Sequence, residues 1–112
     1  MSDDDIIRLR HMLDAAREAM DFLGDRSVGA LKANRMLLLA IVKDLEVIGE
    51  AAARLPASTQ LQLPNIPWPD VIGMRHRLVH AYYDIDVEVV WQTVAQDLPP
   101  LVQQLRAALD TI

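Results

Sequence analysis

The chain has 112 residues, 52% of them hydrophobic and 24% charged, which is the size of one ordinary domain with enough apolar material for a single core. It contains no cysteine, so a disulfide framework, a thiolate zinc site and a cysteine nucleophile are all excluded, and a reducing compartment is allowed. A net charge of -5 excludes holding nucleic acid by bulk electrostatics, so any RNA must meet a local basic patch.

The opening Met1-Ser2-Asp3-Asp4-Asp5 is acidic where a signal peptide would be basic, and no apolar run approaches the ~20 residues of a bilayer span. A single domain over residues 1–112, cytoplasmic and without a membrane partner, is therefore expected. Over residues 5–23, Ile6, Leu9, Met12, Leu13, Ala16, Ala19, Met20 and Leu23 step by three and four, the period of an amphipathic helix, with acidic residues at its favoured end.

Turn residues Gly24-Asp25-Arg26-Ser27-Val28-Gly29 follow, and residues 31–54 then read as one long core helix with an apolar stripe of Leu38, Ile41, Val42, Leu45 and Ile48. Residues 55–67, with Pro56, Pro64 and Pro67, predict the longest loop of the chain. A third helix is predicted from about residue 69 to about residue 82, with Pro69 preset for its first turn. Asp84 or Asp86 caps a fourth, carrying Val89, Val90, Val94, Leu98, Leu101, Leu105 and Leu109.

Pro99-Pro100 removes two amide donors from that fourth helix, which predicts a break or kink there. No segment alternates with period two at length, so the expected fold is all-α. An up-down four-helix bundle, with the segment after Pro99-Pro100 kinked or set off as an extra short helix, buries these stripes most simply.

The densest polar cluster lies in the predicted third helix: Arg75-His76-Arg77, then His80, Tyr82, Tyr83 and Asp84. On a continuous helix at ~100° per residue, Arg75 and Tyr82 fall on nearly one line, with His76, His80 and Tyr83 on a neighbouring face. Such a wall has what metal-free RNA cleavage needs, a histidine that exchanges protons near neutral pH and an arginine fork for phosphate. The same residues also fit a plainer reading, in which Arg75 and Arg77 are solvated or paired with acids such as Asp84 and Glu88 and His80 is a helix-terminal cation.

The string Arg75-His76-Arg77-Leu78-Val79-His80-Ala81-Tyr82 resembles the Arg-x4-His-x-Tyr motif of the HepT-like toxins of the HEPN class. Glu46-Val47-Ile48-Gly49-Glu50-Ala51-Ala52 is similar to that family's second-helix signature, Ile66-Pro67-Trp68 to its entry into the motif helix, and Tyr83-Asp84-Ile85-Asp86 with Val90-Trp91 to its exit. The resemblance implies a HEPN-type bundle and a homodimer whose two motifs face one another. In it, Arg75 holds or polarises a phosphate and His80 transfers protons. His76, where the family usually has Asn, takes a supporting role or a structural one.

The resemblance further implies a metal-independent endoribonuclease acting on tRNA or mRNA. Its partner is a cognate MNT-type nucleotidyltransferase antitoxin that silences it by placing AMP on Tyr82. A bulky anion at that position would occupy the phosphate site. Glu46 and Glu50 are four apart, but no Asp/His set at matching spacing joins them, so no metal and no other cofactor is expected.

Two other readings compete. A HEPN module that no longer cuts and only docks a nucleotidyltransferase suits the acidic balance. In the other, a helical dimer has a polar wall that is merely its interface. Trp68 and Trp91 read as core or interface anchors rather than base-stacking platforms.

Overall fold

The computed structural model describes residues 1–79 and 84–112 in full and residues 80–81 by their backbone. Helix α1 spans Asp3–Leu23, α2 Val28–Lys32, α3 Arg35–Arg54 and α4 Ala57–Gln62. Short helices α5 (Trp68–Ile72) and α6 (Met74–Leu78) follow, then strands β1 (Val79–Ala81) and β2 (Asp84–Ile85), α7 (Val87–Gln92), a π-helical turn (Thr93–Asp97) and α8 (Leu98–Asp110). The fold is all-α, as its periodicities predict, with one two-stranded antiparallel ribbon among the described residues. No helix among those residues is long and apolar enough to cross a membrane.

Helix α1 begins one turn earlier than its apolar stripe. Ser2 caps it through a reciprocal pair: Asp5 N–H donates to Ser2 Oγ at 3.2 Å, and Ser2 N–H to Asp5 Oδ2 at 3.4 Å. Its inner face alternates large and small residues, with Leu9, Met12, Ala16 and Ala19 all fully buried, so α3 can pack closely along it. From α3 come the fully buried Ile41, Leu45 and Ile48, and from the last helix Leu98 and Leu105, each contributing roughly 2 kcal/mol by burial.

The helix predicted over residues 31–54 is divided. Asn34 Oδ1 accepts from Leu37 N–H at 3.1 Å and caps α3, which a side chain competing with the helical ladder does more readily than it continues one. The predicted loop over residues 55–67 also holds structure: α4 follows Pro56, its N-cap residue, and is pinned from two sides. Thr59 Oγ1 donates to Asp5 Oδ2 at 2.6 Å, and Trp68 Nε1 donates to the carbonyls of Gln60 and Leu63 at 3.1 and 3.0 Å.

Pro99 and Pro100 do not end the last helix. Ring clash and missing N–H groups act on the turn before them, which widens to the π-helical segment Thr93–Asp97, after which both prolines sit in the first turn of α8. Thr93 Oγ1, donating to Val89 O at 2.7 Å, marks where the regular ladder gives way. From Val87 to Asp110 the chain stays helical, so the predicted disturbance takes the form of a widened turn within one long element.

Candidate functional site

Helix α6 is one turn and a half long, and two buried residues fix its orientation. Met74 and Leu78 are four apart and enter the core at 2% and 0% exposure, which leaves Arg75, His76 and Arg77 facing out. Gly73 joins α5 to α6, and a Cβ there would meet Pro69 O at 3.1 Å, so the link favours glycine for space. Behind it α5 lies close against α3, where a Cβ on Gly49 would meet Val71 O at 3.3 Å.

That close packing brings α6 over the middle of α3, and Arg75 Nε pairs with Glu46 Oε1 at 3.4 Å. The arginine side chain is 67% exposed and the glutamate 24%, so the pair lies at the protein surface with one edge of the guanidinium held. The Nη groups of Arg75 donate to no partner among the described residues. Arg77 turns the other way and donates from Nη2 to the carbonyl of Asp70 at 3.2 Å.

The third helix predicted to reach residue 82 stops at Leu78. Val79 is extended (φ -125°, ψ 110°), and β1 pairs with β2 through Val79 opposite Ile85 and Ala81 opposite Asp84. Asp86 N–H donates to Leu78 O at 2.8 Å, taking a carbonyl that a continued helix would need for its own ladder. Asp86 in turn caps α7, its Oδ1 accepting from Val89 N–H at 3.1 Å. The single helical wall from Arg75 to Tyr82 is therefore corrected: Arg75 and His76 sit on a helix, while the backbone of His80 belongs to a strand. The His80 side chain, with Tyr82 and Tyr83, lies outside the described residues.

The acids named as partners for the motif arginines also differ. Glu88 pairs with Lys32 at 3.2 Å, and it is Glu46 that engages Arg75. Glu46 lies in the segment that resembles the family's second-helix signature, and its ion pair ties that segment to the motif arginine. Among the described residues, no three His, Asp or Glu side chains gather as metal ligands would.

One further titratable group stands apart. Asp44, two residues before Glu46, is on the α1 side of α3, 7% exposed, and its Oδ2 meets no hydrogen-bond partner among the described residues. Burial pushes its carboxyl up to about 7, and the neighbouring Glu18 carboxyl of α1 pushes the same way. Asp5 behaves oppositely, because the Thr59 hydroxyl bound to it holds its carboxyl below the usual range against the cost of burial.

A family model described as ribonuclease HepT-like matches residues 12–108. A candidate RNase of Methanocaldococcus jannaschii is 30% identical over 97 residues, covering 87% of this chain and 89% of that protein. A probable ribonuclease HepT of Thermococcus cleftensis is 44% identical over 62 residues, 55% of this chain and 56% of its own. A candidate RNase of Caldanaerobacter subterraneus subsp. tengcongensis is 29% identical over 101 residues, 90% of each chain. No solved structure gives a significant match.

Proposed function

The chain belongs to the HepT-like ribonuclease family, and from that premise we propose that it is the toxin of a toxin-antitoxin pair, a metal-independent endoribonuclease cutting tRNA or mRNA. The observation that carries the reading is the setting of Arg75. It stands outward on a helix anchored by Met74 and Leu78, with Nε held by Glu46 and its Nη groups meeting no partner among the described residues. A guanidinium fixed along one edge still offers donors to a phosphate, and fixing it beforehand removes part of the entropic cost of binding.

In this reading the ribose 2'-hydroxyl attacks the adjacent phosphorus, the O2'–P bond forms and the P–O5' bond breaks, leaving a 2',3'-cyclic phosphate. His80 takes the 2'-hydroxyl proton or returns one to the departing O5' atom, and His76 supports the exchange. Arg75 balances the charge that builds on the phosphate oxygens, and Glu46 is its positioning residue.

A homodimer brings two motifs together. Met36 and Leu39 of α3 are 82% and 44% exposed, and the same helix face continues in steps of four and three through the charged Lys43 to Glu46. A second copy seated on that face would close a cleft beside Arg75. The partner nucleotidyltransferase would silence the cleft by AMP on Tyr82, whose added anion competes with RNA for the same arginine.

The test is cleavage of total tRNA by antitoxin-free protein in EDTA, wild type beside His80→Ala. Cutting by wild type alone, with both proteins folded by circular dichroism, supports the reading. Failure of unmodified wild type to cut would turn it to the docking module.

A further inference from the structure

Of the eleven lysines and arginines, five are engaged by the protein itself. Arg8 meets Asp5 at 3.8 Å, Lys32 meets Glu88 at 3.2 Å and Arg75 meets Glu46 at 3.4 Å. Arg26 donates to the carbonyls of Phe22 and Leu23, and Arg77 to that of Asp70. Six cations remain without a carboxylate or carbonyl partner among the described residues, and three of these, Arg10, Arg17 and Arg106, line one cleft of about 310 Å³ between α1 and α8.

The placement follows from helix geometry. Arg10, Asp14 and Arg17 are spaced four and three apart on one face of α1, Arg106 and Asp110 four apart on α8, and the buried Leu13 forms part of the floor. Neither aspartate comes within 4 Å of an arginine head group, so the three guanidiniums keep their donors although acids stand in the same cleft. In a chain of net charge -5, a cleft lined by three arginines and two aspartates, with no arginine in a direct ion pair among the described residues, runs against the overall balance. The planar forks suit phosphate oxygens, and the volume, room for roughly ten waters at ~30 Å³ each, admits a sugar-phosphate unit. None of these residues belongs to the Arg75 and His80 motif.

We propose that the cleft formed by Arg10, Arg17 and Arg106 is a second RNA-binding site, which holds the phosphodiester backbone of the substrate away from the point of cleavage. The proposal rests on the ribonuclease reading and adds a place where RNA is gripped. It also accounts for how an acidic protein holds a polyanion, by local charge on one groove and not by net charge. Asp14 and Asp110 limit that grip, keeping attraction for any polyanion weak enough for release.

The experiment uses full-length His80→Ala protein as parent and a fluorescent 2'-O-methyl RNA 20-mer as probe, with binding measured from 0.05 to 0.3 M salt. Combining Arg10→Gln, Arg17→Gln and Arg106→Gln lowers the salt slope of log K by about 2 and the affinity at 0.15 M by tenfold to a hundredfold, from roughly 0.7 per phosphate lost on a single strand. Asp14→Asn with Asp110→Asn moves affinity the other way, tightening it severalfold, which no unfolding artefact imitates.

Equal slope and affinity in the parent and the triple Gln variant overturn the groove while leaving the ribonuclease reading standing. No binding of the probe by any protein, parent included, together with no tRNA cleavage by wild type, overturns both. A triple variant that binds RNA normally but no longer retains the nucleotidyltransferase assigns the cleft to an acidic protein surface and overturns the RNA proposal.

Discussion

Replacing Asp44 with Asn removes one carboxyl from the α1–α3 interface while keeping its size and shape. In the folded protein this carboxyl titrates at about 7 against an ordinary 3.8, because it is buried beside Glu18. For an acid whose folded value is raised, the unfolded state gives up its proton first. The contribution of Asp44 to stability is therefore most favourable below pH 4, declines as pH rises toward 7 and levels off above it. About three pH units at 1.36 kcal/mol each set an upper bound of about 4 kcal/mol for the penalty at pH 8.

Glu18 is exposed and water reaches its side of the pair, so we expect Asp44→Asn to recover about 1–3 kcal/mol at pH 8. For a domain of this size that raises Tm by about 4–12 °C. Asn Nδ2 can also donate to the Glu18 carboxylate, which a charged Asp44 cannot do. At pH 4.5 the folded wild-type carboxyl is already neutral while the unfolded one is mostly ionised, so the difference in Tm should shrink to about a quarter of its value at pH 8. The assay is thermal unfolding by circular dichroism, with urea unfolding at both pH values. A difference that is the same at pH 4.5 and pH 8, or a variant less stable at pH 8, would falsify the assignment of Asp44 as a strained buried acid.

Glu46→Gln keeps the shape of the Arg75 partner and removes its charge. The exposed pair is worth under about 1 kcal/mol, so Tm should hardly move while kcat for RNA cleavage drops about tenfold with KM nearly unchanged, and unchanged turnover would remove Glu46 from the site. Leu78→Ala empties a fully buried position at the end of α6 and should cost about 2–5 kcal/mol in urea unfolding; a smaller loss would mean that α6 is not anchored there. Thr59→Val takes away the hydroxyl that lowers the Asp5 carboxyl. The wild type should exceed the variant in stability at neutral pH, and the gap should close as pH falls below the ordinary carboxylate range; a gap constant down to pH 2 would argue against the hydrogen bond.

Local pattern alone determined a good deal here. The period of three and four places Leu9, Met12, Ala16 and Ala19 on one face of α1 and Ile41, Leu45 and Ile48 on one face of α3, and both faces are buried as that period requires. The Arg75-to-Tyr82 string with its flanks identified the family, because that information is carried by residue order and spacing. What escaped are features set by partners distant in sequence. Asp44 and Glu46 sit two apart on one helix with similar chemistry, yet one is buried against Glu18 and the other holds Arg75, since ~200° of helical rotation sends them to different neighbours. The end of α6 is set by Asp86 claiming the Leu78 carbonyl, eight residues downstream, and only the returning chain supplies that donor. Arg10 and Arg106 stand almost a full chain length apart in sequence and become neighbours because α8 packs back along α1, a juxtaposition that no local period encodes.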